Sequence, residues 1–241
     1  MGLYERQART LVASWERYAT GSVDAHVVEE EGATVCVFPA GPERAVYNNA
    51  LLRLGLDTEA SGAALDAVER HYRAASIERY AVWAHESQPV PIAELGRHGY
   101  RLDTSTRAMA MSIGDLRVPR PELDLAEPSF AEHLRLLGVP EGLLAGLDAS
   151  GFHVLVARWN SLPAATGIAY DHEGDCGVFN LGTLPEARRR GLGTALTALH
   201  LHLARDRGCE TASLQSTAMA EGVYAAVGFR DLGRYMEYVP G

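Results

Sequence analysis

The sequence has few cysteines and no long apolar run. The three cysteines, Cys36, Cys176 and Cys209, are an odd number without Cys-x-x-Cys spacing. That pattern argues against a disulfide framework or a zinc site and predicts reduced, mostly buried thiols, with no metal. No apolar run approaches the roughly 20 residues that span a bilayer, and the charged N-terminus lacks a signal-peptide core. We therefore expect a cytoplasmic protein with no membrane partner.

Positive charge is also scarce. Lys and Arg number 22 against 31 Asp and Glu, which gives a formal net charge of −9. Phosphate neutralisation needs clustered basic side chains, so this balance excludes a general nucleic-acid binder. The run Arg188-Arg189-Arg190 is the local exception. A length of 241 residues with 47% hydrophobic residues suits one large or two small compact domains.

The C-terminal half has the pattern of strands followed by a helix. Phe152–Arg158, Thr166–Tyr170 and Val178-Phe179-Asn180-Leu181 are separated by turn residues, which predicts an antiparallel meander. Apolar residues from Leu192 to Leu203 then recur at helical spacing, and Gly208 can end that helix in a left-handed conformation. We expect further elements in a strand at Thr211–Gln215, a short helix through Tyr224, and a last strand at Tyr235–Val239.

The N-terminal half repeats this order faintly. Gly99-Tyr100-Arg101 stands 129 positions before Gly228-Phe229-Arg230, and the same shift places Gly62 on Gly191. The two-proline segment Val118–Glu122 separates the halves as an extended linker. We interpret the pattern as an internal duplication with domains at residues 1–117 and 118–241.

One segment carries the chemistry. From Asn180 to Leu196 a predicted strand, a loop and a helix start follow one another, with glycines at Gly191 and Gly193 and three arginines before them. The first amides of a helix have no intrahelical partner, and the helix dipole makes this end positive. Glycine lets an anion approach the backbone. These features predict a cradle for a pyrophosphate.

The sequence here resembles the GCN5-related N-acetyltransferase (GNAT) superfamily. Its Arg/Gln-x-x-Gly-x-Gly/Ala signature is matched at Arg188, Gly191 and Gly193, and its Leu-Tyr-x-x-x-Gly-Phe element at Val223-Tyr224 through Gly228-Phe229. The resemblance is strong from Phe152 to Val239 and faint over Leu51–Met111. It implies an α/β fold with a mixed, mostly antiparallel central sheet flanked by helices. We expect two such units, a degenerate one at 1–117 and a catalytic one at 118–241.

The resemblance also implies roles. Tyr224 would protonate the thiolate that leaves acetyl-CoA, the expected co-substrate. The residues expected to bind acetyl-CoA are Leu181, Gly182 and Thr183 along the pantetheine arm, Arg188, Arg189, Arg190, Gly191, Leu192, Gly193 and Thr194 around the pyrophosphate, and Thr217 through a hydrogen bond.

Some positions depart from the family pattern. Gly177 stands where relatives carry a general base, and Thr217 stands where they carry Asn. The acidic residues from Asp171 to Asp175 are expected to be solvated turn residues. His153 is expected to be packed or at an edge, and His200 and His202 on the surface. A water chain to solvent could replace the base. In the first half, Glu59 and Leu95 stand where the arginine and the tyrosine belong, so that half should not bind CoA.

The expected function is transfer of an acetyl group from acetyl-CoA to an amine of a small molecule or peptide. Two alternatives stay open. One is a catalytically silent acyl-CoA-binding or regulatory module; the other is an acyltransferase that uses another acyl-CoA or a hydroxyl acceptor. A monomer or a homodimer is expected.

Overall fold

A computed structural model describes residues 1–40, 47–139, 144 and 146–241. The chain forms two compact units. Unit 1 comprises Met1–Ala13, Arg107–Gly142 and Asp148–Leu232, and unit 2 comprises Ser14–Thr106, Leu143–Leu147 and Gly233–Gly241. The expected boundary at 117/118 lies inside unit 1. Helix α1 (Leu3–Ala19) begins in unit 1 and ends in unit 2.

Unit 2 contains a mixed sheet and two helices. Its elements are β1 (His26–Glu30), β2 (Ala33–Val37), β3 (Asn49–Leu52), α2 (Thr58–Ala74), β4 (Ala81–His85) and α3 (Pro89–Arg97). Strands β1, β2 and β3 form an antiparallel meander, and β4 is parallel to β3. The apolar side of α2 packs on the sheet, where the buried Tyr72 stacks on Tyr80 and donates to the carbonyl of Cys36 at 2.9 Å.

Unit 1 repeats this order of elements. Strand β5 (Tyr100–Ser112) starts in unit 2 and ends in unit 1. There follow α4 (Phe130–Leu137), β6 (Phe152–Trp159), β7 (Leu162–His172), β8 (Asp175–Thr183), α5 (Leu192–Asp206), β9 (Thr211–Ser216), α6 (Glu221–Val227) and β10 (Arg230–Pro240). Strands β6, β7 and β8 form the second meander, β9 is parallel to β8, and the end of β5 pairs antiparallel with β9. The expected α/β class, with a mixed sheet flanked by helices, is confirmed.

The last strand completes the other unit. Strand β10 leaves unit 1 after Leu232, and its Tyr235–Tyr238 segment pairs antiparallel with β4 of unit 2. Each unit therefore contains four strands from one half of the sequence and the end of a fifth strand from the other half.

The two helices that follow the meanders begin differently. Gly191, with φ of 80°, precedes α5, and Gly208, with φ of 96°, follows it as expected. In unit 2, α2 begins at Thr58, so Gly62 lies inside the helix and not at its start. The alignment of Gly62 with Gly191 was therefore wrong at this point, because Asp57 caps α2 five residues earlier than the glycine spacing suggests.

Helix α5 is more deeply buried than its sequence suggests. His200 and His202, expected on the surface, are both buried. The extended segment at Val118 covers this side of α5, and its carbonyl lies 3.0 Å from Nε2 of His202. The three cysteines are free and buried, as expected. Within the described ranges, no helix is long and apolar enough to cross a membrane.

Candidate active site

Strands β8 and β9 diverge in the middle of unit 1. Their parallel pairing covers Asp175, Cys176 and Gly177 of β8 and stops there, while β8 continues to Thr183 along β7. Asp175 fastens the paired end, since its buried carboxylate accepts from the hydroxyls of Thr211 at 2.7 Å and Ser213 at 2.6 Å. Beyond Gly177 the β9-facing edge of β8 is open to an added extended chain.

A bulge reshapes this edge. Thr166 of β7 pairs with Gly182 and Ile168 pairs with Phe179, so Asn180 and Leu181 together oppose the single residue between them. Asn180 has a positive φ of 50°. A Cβ on Gly182 would lie 2.8 Å from the Leu137 side chain of α4, so glycine permits that close contact. The bulge redirects backbone groups at the segment expected to contact pantetheine.

The loop after β8 turns backbone amides toward one point. Arg189 and Gly191 have φ of 61° and 80°, so left-handed residues alternate with others just before α5. Such alternation forms an anion-binding nest of amide groups. No side chain of the described residues caps α5, and a Cβ at Gly191 would meet nothing within 4 Å. The amides of Leu192, Gly193 and Thr194 therefore lack the usual intrahelical and side-chain acceptors.

The three arginines are held in different ways. Nε of Arg188 donates to the carbonyl of Thr183 at 3.1 Å, which ties the loop to the end of β8. The guanidinium of Arg190 lies 4.3 Å from the centroid of the Trp159 ring. No carboxylate among the described residues forms an ion pair with Arg188, Arg189 or Arg190. Their charge is therefore not neutralised within the described part of the chain, as an anion site requires.

Tyr224 lies on α6 and belongs to the hydrophobic cluster that also contains Val178 of β8 and Leu214 of β9. Its ring is buried and meets Phe229 edge-on, with centroids 6.0 Å apart. Burial raises the pKa of Tyr224 to about 12. Its hydroxyl makes no hydrogen bond to any described residue. The phenol therefore stays protonated at neutral pH and has a proton to donate.

Other side chains fill the space beside residue 177, where relatives carry the general base. A Cβ on Gly177 would overlap the ring of Phe179 and lie 2.8 Å from Cγ2 of Thr10 in α1. Glycine at 177 is thus a packing requirement, and β8 offers no basic side chain there.

We expected the acidic residues from Asp171 to Asp175 to be solvated turn residues, and Asp171 and Asp175 are not. Asp171 belongs to β7 and binds Arg207 through both oxygens, at 2.6 and 2.9 Å. Although burial opposes ionisation, hydrogen bonds from His153 and Arg207 hold the pKa of Asp171 well below its usual range. Asp175 is buried, and only Glu173 matches the expectation, as an exposed partner of Arg9. His153 lies on the edge strand β6, as expected.

Three residues of interest carried no signal in the sequence. Trp159 holds Arg190, and Thr10 reaches Gly177 from a helix that the strand–helix pattern did not include. His133 of α4 is buried with Nδ1 2.8 Å from Oγ1 of Thr166, which itself donates to the carbonyl of Leu155. Nδ1 must therefore carry the proton, and burial lowers the pKa of His133 to about 4. Only tertiary contacts reveal these roles.

The equivalent region of unit 2 lacks these features. The side chain of Asp57 caps α2 by accepting from the amide of Ala60 at 2.9 Å, so a carboxylate already occupies that helix start. Glu59 follows in the first turn, and Leu95 is a fully buried core residue. Thr217, the last expected cofactor contact of unit 1, is exposed directly after β9. No group of three or more potential ligands in the described residues could hold a metal ion.

Comparison with known proteins finds a family domain within part of the chain. Residues 150–231 match the model of the acetyltransferase (GNAT) domain. The mycothiol acetyltransferase of Stackebrandtia nassauensis is 28% identical over 204 residues, which cover 69% of this chain and 65% of that relative. The match thus takes in less than two thirds of the relative's length.

Solved structures show the same fold. A GCN5-related N-acetyltransferase from Kribbella flavida superposes with a TM-score of 0.75 at 22% identity, over 100% of this chain and 97% of the other. One from Sphaerobacter thermophilus gives 0.61 at 18% identity, over 86% and 80%. The family model, the relative and the shared fold together support a GNAT acetyltransferase domain in this chain, at residues 150–231.

Proposed function

We propose that the chain is an N-acetyltransferase that transfers the acetyl group of acetyl-CoA to an amine of a small molecule or peptide. The observation that carries this proposal is the anion site at the start of α5. There an uncapped helix start, a nest at Arg189–Gly191 and three arginines that pair with no carboxylate of the described residues follow a strand with an open edge. Pyrophosphate fits the site and pantetheine fits the edge.

In this proposal the residues of unit 1 bind acetyl-CoA, orient its thioester and protonate the departing sulfur. Leu181, Gly182 and Thr183 pair with the pantetheine arm, and the amides from Arg189 to Thr194 hold the pyrophosphate. Backbone amides at the open edge stabilise the oxyanion as the amine attacks the thioester carbon. The C–N bond forms, the C–S bond breaks, and Tyr224 donates a proton to the departing sulfur.

The acceptor must lose a proton elsewhere. An alkylammonium with a pKa near 10 is mostly protonated at neutral pH. Gly177 provides no base, and Asp171 is committed to Arg207. We propose that water accepts the proton. Thr217 adds a hydrogen bond to the cofactor from its exposed position after β9.

We also propose that unit 2 is a degenerate copy of unit 1. Both units show a meander, a helix, a parallel strand and a short helix in the same order. Asp57 and Glu59 place negative charge at the start of α2, where unit 1 has arginines. An anion is therefore repelled there.

A silent binding module is the second candidate. It is favoured by the packing at Gly177, where Phe179 and Thr10 fill the space of a general base. Thiol release separates the candidates, because a silent module binds acetyl-CoA and releases no CoA with any acceptor.

The test is an acceptor screen that follows thiol release at saturating acetyl-CoA. The panel includes small amines, peptides and hydroxyl acceptors. The sequence contains no lysine, so the protein offers no ε-amine that would release CoA by itself. Longer acyl-CoA thioesters tested in parallel define the acyl preference.

A matched pair of variants tests the cofactor assignment. Gly191→Asp puts a carboxylate at the nest and should raise the Kd for acetyl-CoA at least about tenfold, because like charges repel at this range. Gly55 has φ of 81° against 80° for Gly191, and a Cβ at either position meets nothing. Gly55→Asp therefore reproduces the backbone strain without the anion site. Equal acetyl-CoA binding by both folded variants would refute the assignment.

A further inference from the structure

An exposed apolar pair lies beside the phosphate-binding loop. Trp159 ends β6 and Leu162 begins β7, and the two are cross-strand partners. Asn160 and Ser161 between them have φ of 50° and 66°, the signature of a tight two-residue hairpin turn. Trp159 is 36% exposed and Leu162 is 69% exposed. The hairpin thus holds the aromatic ring of Trp159 at the surface. Packing in the core does not explain an aromatic residue at this position.

Arg190 connects this ring to the loop. Its backbone lies between the two left-handed residues of the nest, and its guanidinium lies 4.3 Å from the centre of the Trp159 ring. A guanidinium over indole is attracted to the ring face and is held in a defined place. No carboxylate of the described residues pairs with it. The positive charge is thus fixed one side chain away from the amides of the nest.

We infer that Trp159 and Arg190 form a subsite for the 3′-phosphorylated adenosine end of the acyl-CoA, an inference that rests on the proposed function. The adenine ring packs on the aromatic and guanidinium planes, and the guanidinium pairs with the 3′-phosphate. Aromatic rings and arginine planes both stack on bases, and arginine binds phosphate with directed hydrogen bonds.

The position of the pair favours this ligand over a macromolecular partner. In a CoA thioester the adenosine is joined directly to the pyrophosphate, so it must lie within a short reach of the nest. The exposed surface consists of two neighbouring side chains beside a charged loop, which is small for a protein interface. Trp159 is therefore a binding residue for the nucleotide and a positioning residue for Arg190.

Calorimetry with three probes tests the inference on the full chain. CoA carries the nucleotide and its 3′-phosphate, 3′-dephospho-CoA lacks that phosphate, and 4′-phosphopantetheine lacks the whole nucleotide. Trp159→Ala should weaken CoA binding by about 5- to 100-fold, the usual range for base stacking, and leave phosphopantetheine binding unchanged. Arg190→Met keeps the aliphatic stem and should abolish the preference for CoA over 3′-dephospho-CoA.

Controls make each result decisive. Trp159→Phe retains an aromatic face, so its CoA affinity should lie between those of wild type and Trp159→Ala. Leu102→Ala removes an exposed apolar side chain from unit 2 and should leave CoA binding unchanged. Equal weakening of CoA and phosphopantetheine by Trp159→Ala, or no weakening of either, would overturn the subsite. Unchanged CoA binding by Gly191→Asp would instead overturn the proposed function, so the two failures are distinguishable.

Discussion

At the scale of single residues, Tyr224 combines a buried ring with a hydroxyl that has no partner among the described residues. Tyr224→Phe preserves the edge-on contact with Phe229 and removes the proton donor. We expect kcat to fall by about 10²- to 10⁴-fold, the usual contribution of general acid catalysis, with little change in the Kd for acetyl-CoA. Because the pKa of Tyr224 is about 12, its phenol stays protonated up to pH 10. Wild-type kcat should therefore not fall over that range through deprotonation of this group. Steady-state kinetics and calorimetry measure both quantities, and an unchanged kcat with chemistry rate-limiting would assign the proton to another group.

His200 makes the fold sensitive to acid. It is fully buried, neither ring nitrogen makes a hydrogen bond of good geometry with a described residue, and burial lowers its pKa to about 3. Between pH 6.5 and 3 the unfolded chain binds a proton that the folded chain does not, so stability is complete above pH 6.5 and falls as pH decreases. For this one residue the loss from pH 7 to pH 4 is on the order of 3 kcal/mol.

His200→Leu should remove that dependence. Urea denaturation at pH 7 and at pH 4 should show a smaller difference in unfolding free energy for the variant, with stability at pH 7 unchanged or increased, since an unsatisfied polar group is removed. The exposed His26 provides the control through His26→Gln. A variant as acid-sensitive as wild type would contradict the role given to His200.

The sequence indicated the positions of residues whose surroundings are set by local order. Gly191 precedes α5 and Tyr224 lies on a short helix, as their motifs suggest, and the roles given to them stay predictions. The burial of His202 could not be foreseen, because Val118, whose carbonyl lies 3.0 Å from its Nε2, stands 84 positions away in the sequence. His200 is buried beside Gly167 of β7, which local sequence order does not place there either. The burial of Asp175 could not be foreseen either, since the hydroxyls that stabilise its buried carboxylate come from β9.

At the scale of elements, the packing of α1 against β8 limits which side chain β8 can have at position 177. Gly177→Ala adds a Cβ that overlaps the Phe179 ring and approaches Thr10. We expect a loss of about 1–3 kcal/mol in unfolding free energy, the usual cost of overpacking. In a Phe179→Leu background the same change should cost less, because the obstructing ring is gone. Denaturation of the four proteins of this cycle measures the coupling, and equal costs in both backgrounds would show that the ring is not the obstacle.

The elements of the C-terminal half were largely foreseeable, because alternating and helical periodicities are strong there. The bulge at Asn180 was not, since it depends on the register between β7 and β8. Helices α1 and α4 were not assigned, although they supply Thr10 and Leu137, the contacts at Gly177 and Gly182. Periodicity indicates that an element exists, and only packing shows which neighbour it meets.

At the scale of the whole molecule, the two units predict an asymmetric stoichiometry. Calorimetry on the intact chain should give one acetyl-CoA bound, since Asp57 and Glu59 occupy the helix start of unit 2. Gly191→Asp should weaken binding at this one site at least about tenfold. A second site of similar affinity, retained in Gly191→Asp, would show that unit 2 also binds the cofactor.

The spacing of 129 positions in the sequence suggested a duplication, which stays a proposal. It could not indicate that β5 and β10 each end in a unit other than the one where they begin, because strand pairing across such distances leaves no local pattern.

That arrangement has a consequence for synthesis on the ribosome. The residues that pair with β4 are Tyr235–Tyr238, and Tyr235 stands 150 positions after its partner His85. Until those residues are translated, the nascent chain carries an apolar strand, Ala81–His85, whose β10-facing edge is unpaired. Unit 2 is therefore vulnerable to aggregation while the residues between β4 and β10 are synthesised. Ribosomal pausing between these two strands would prolong that exposure.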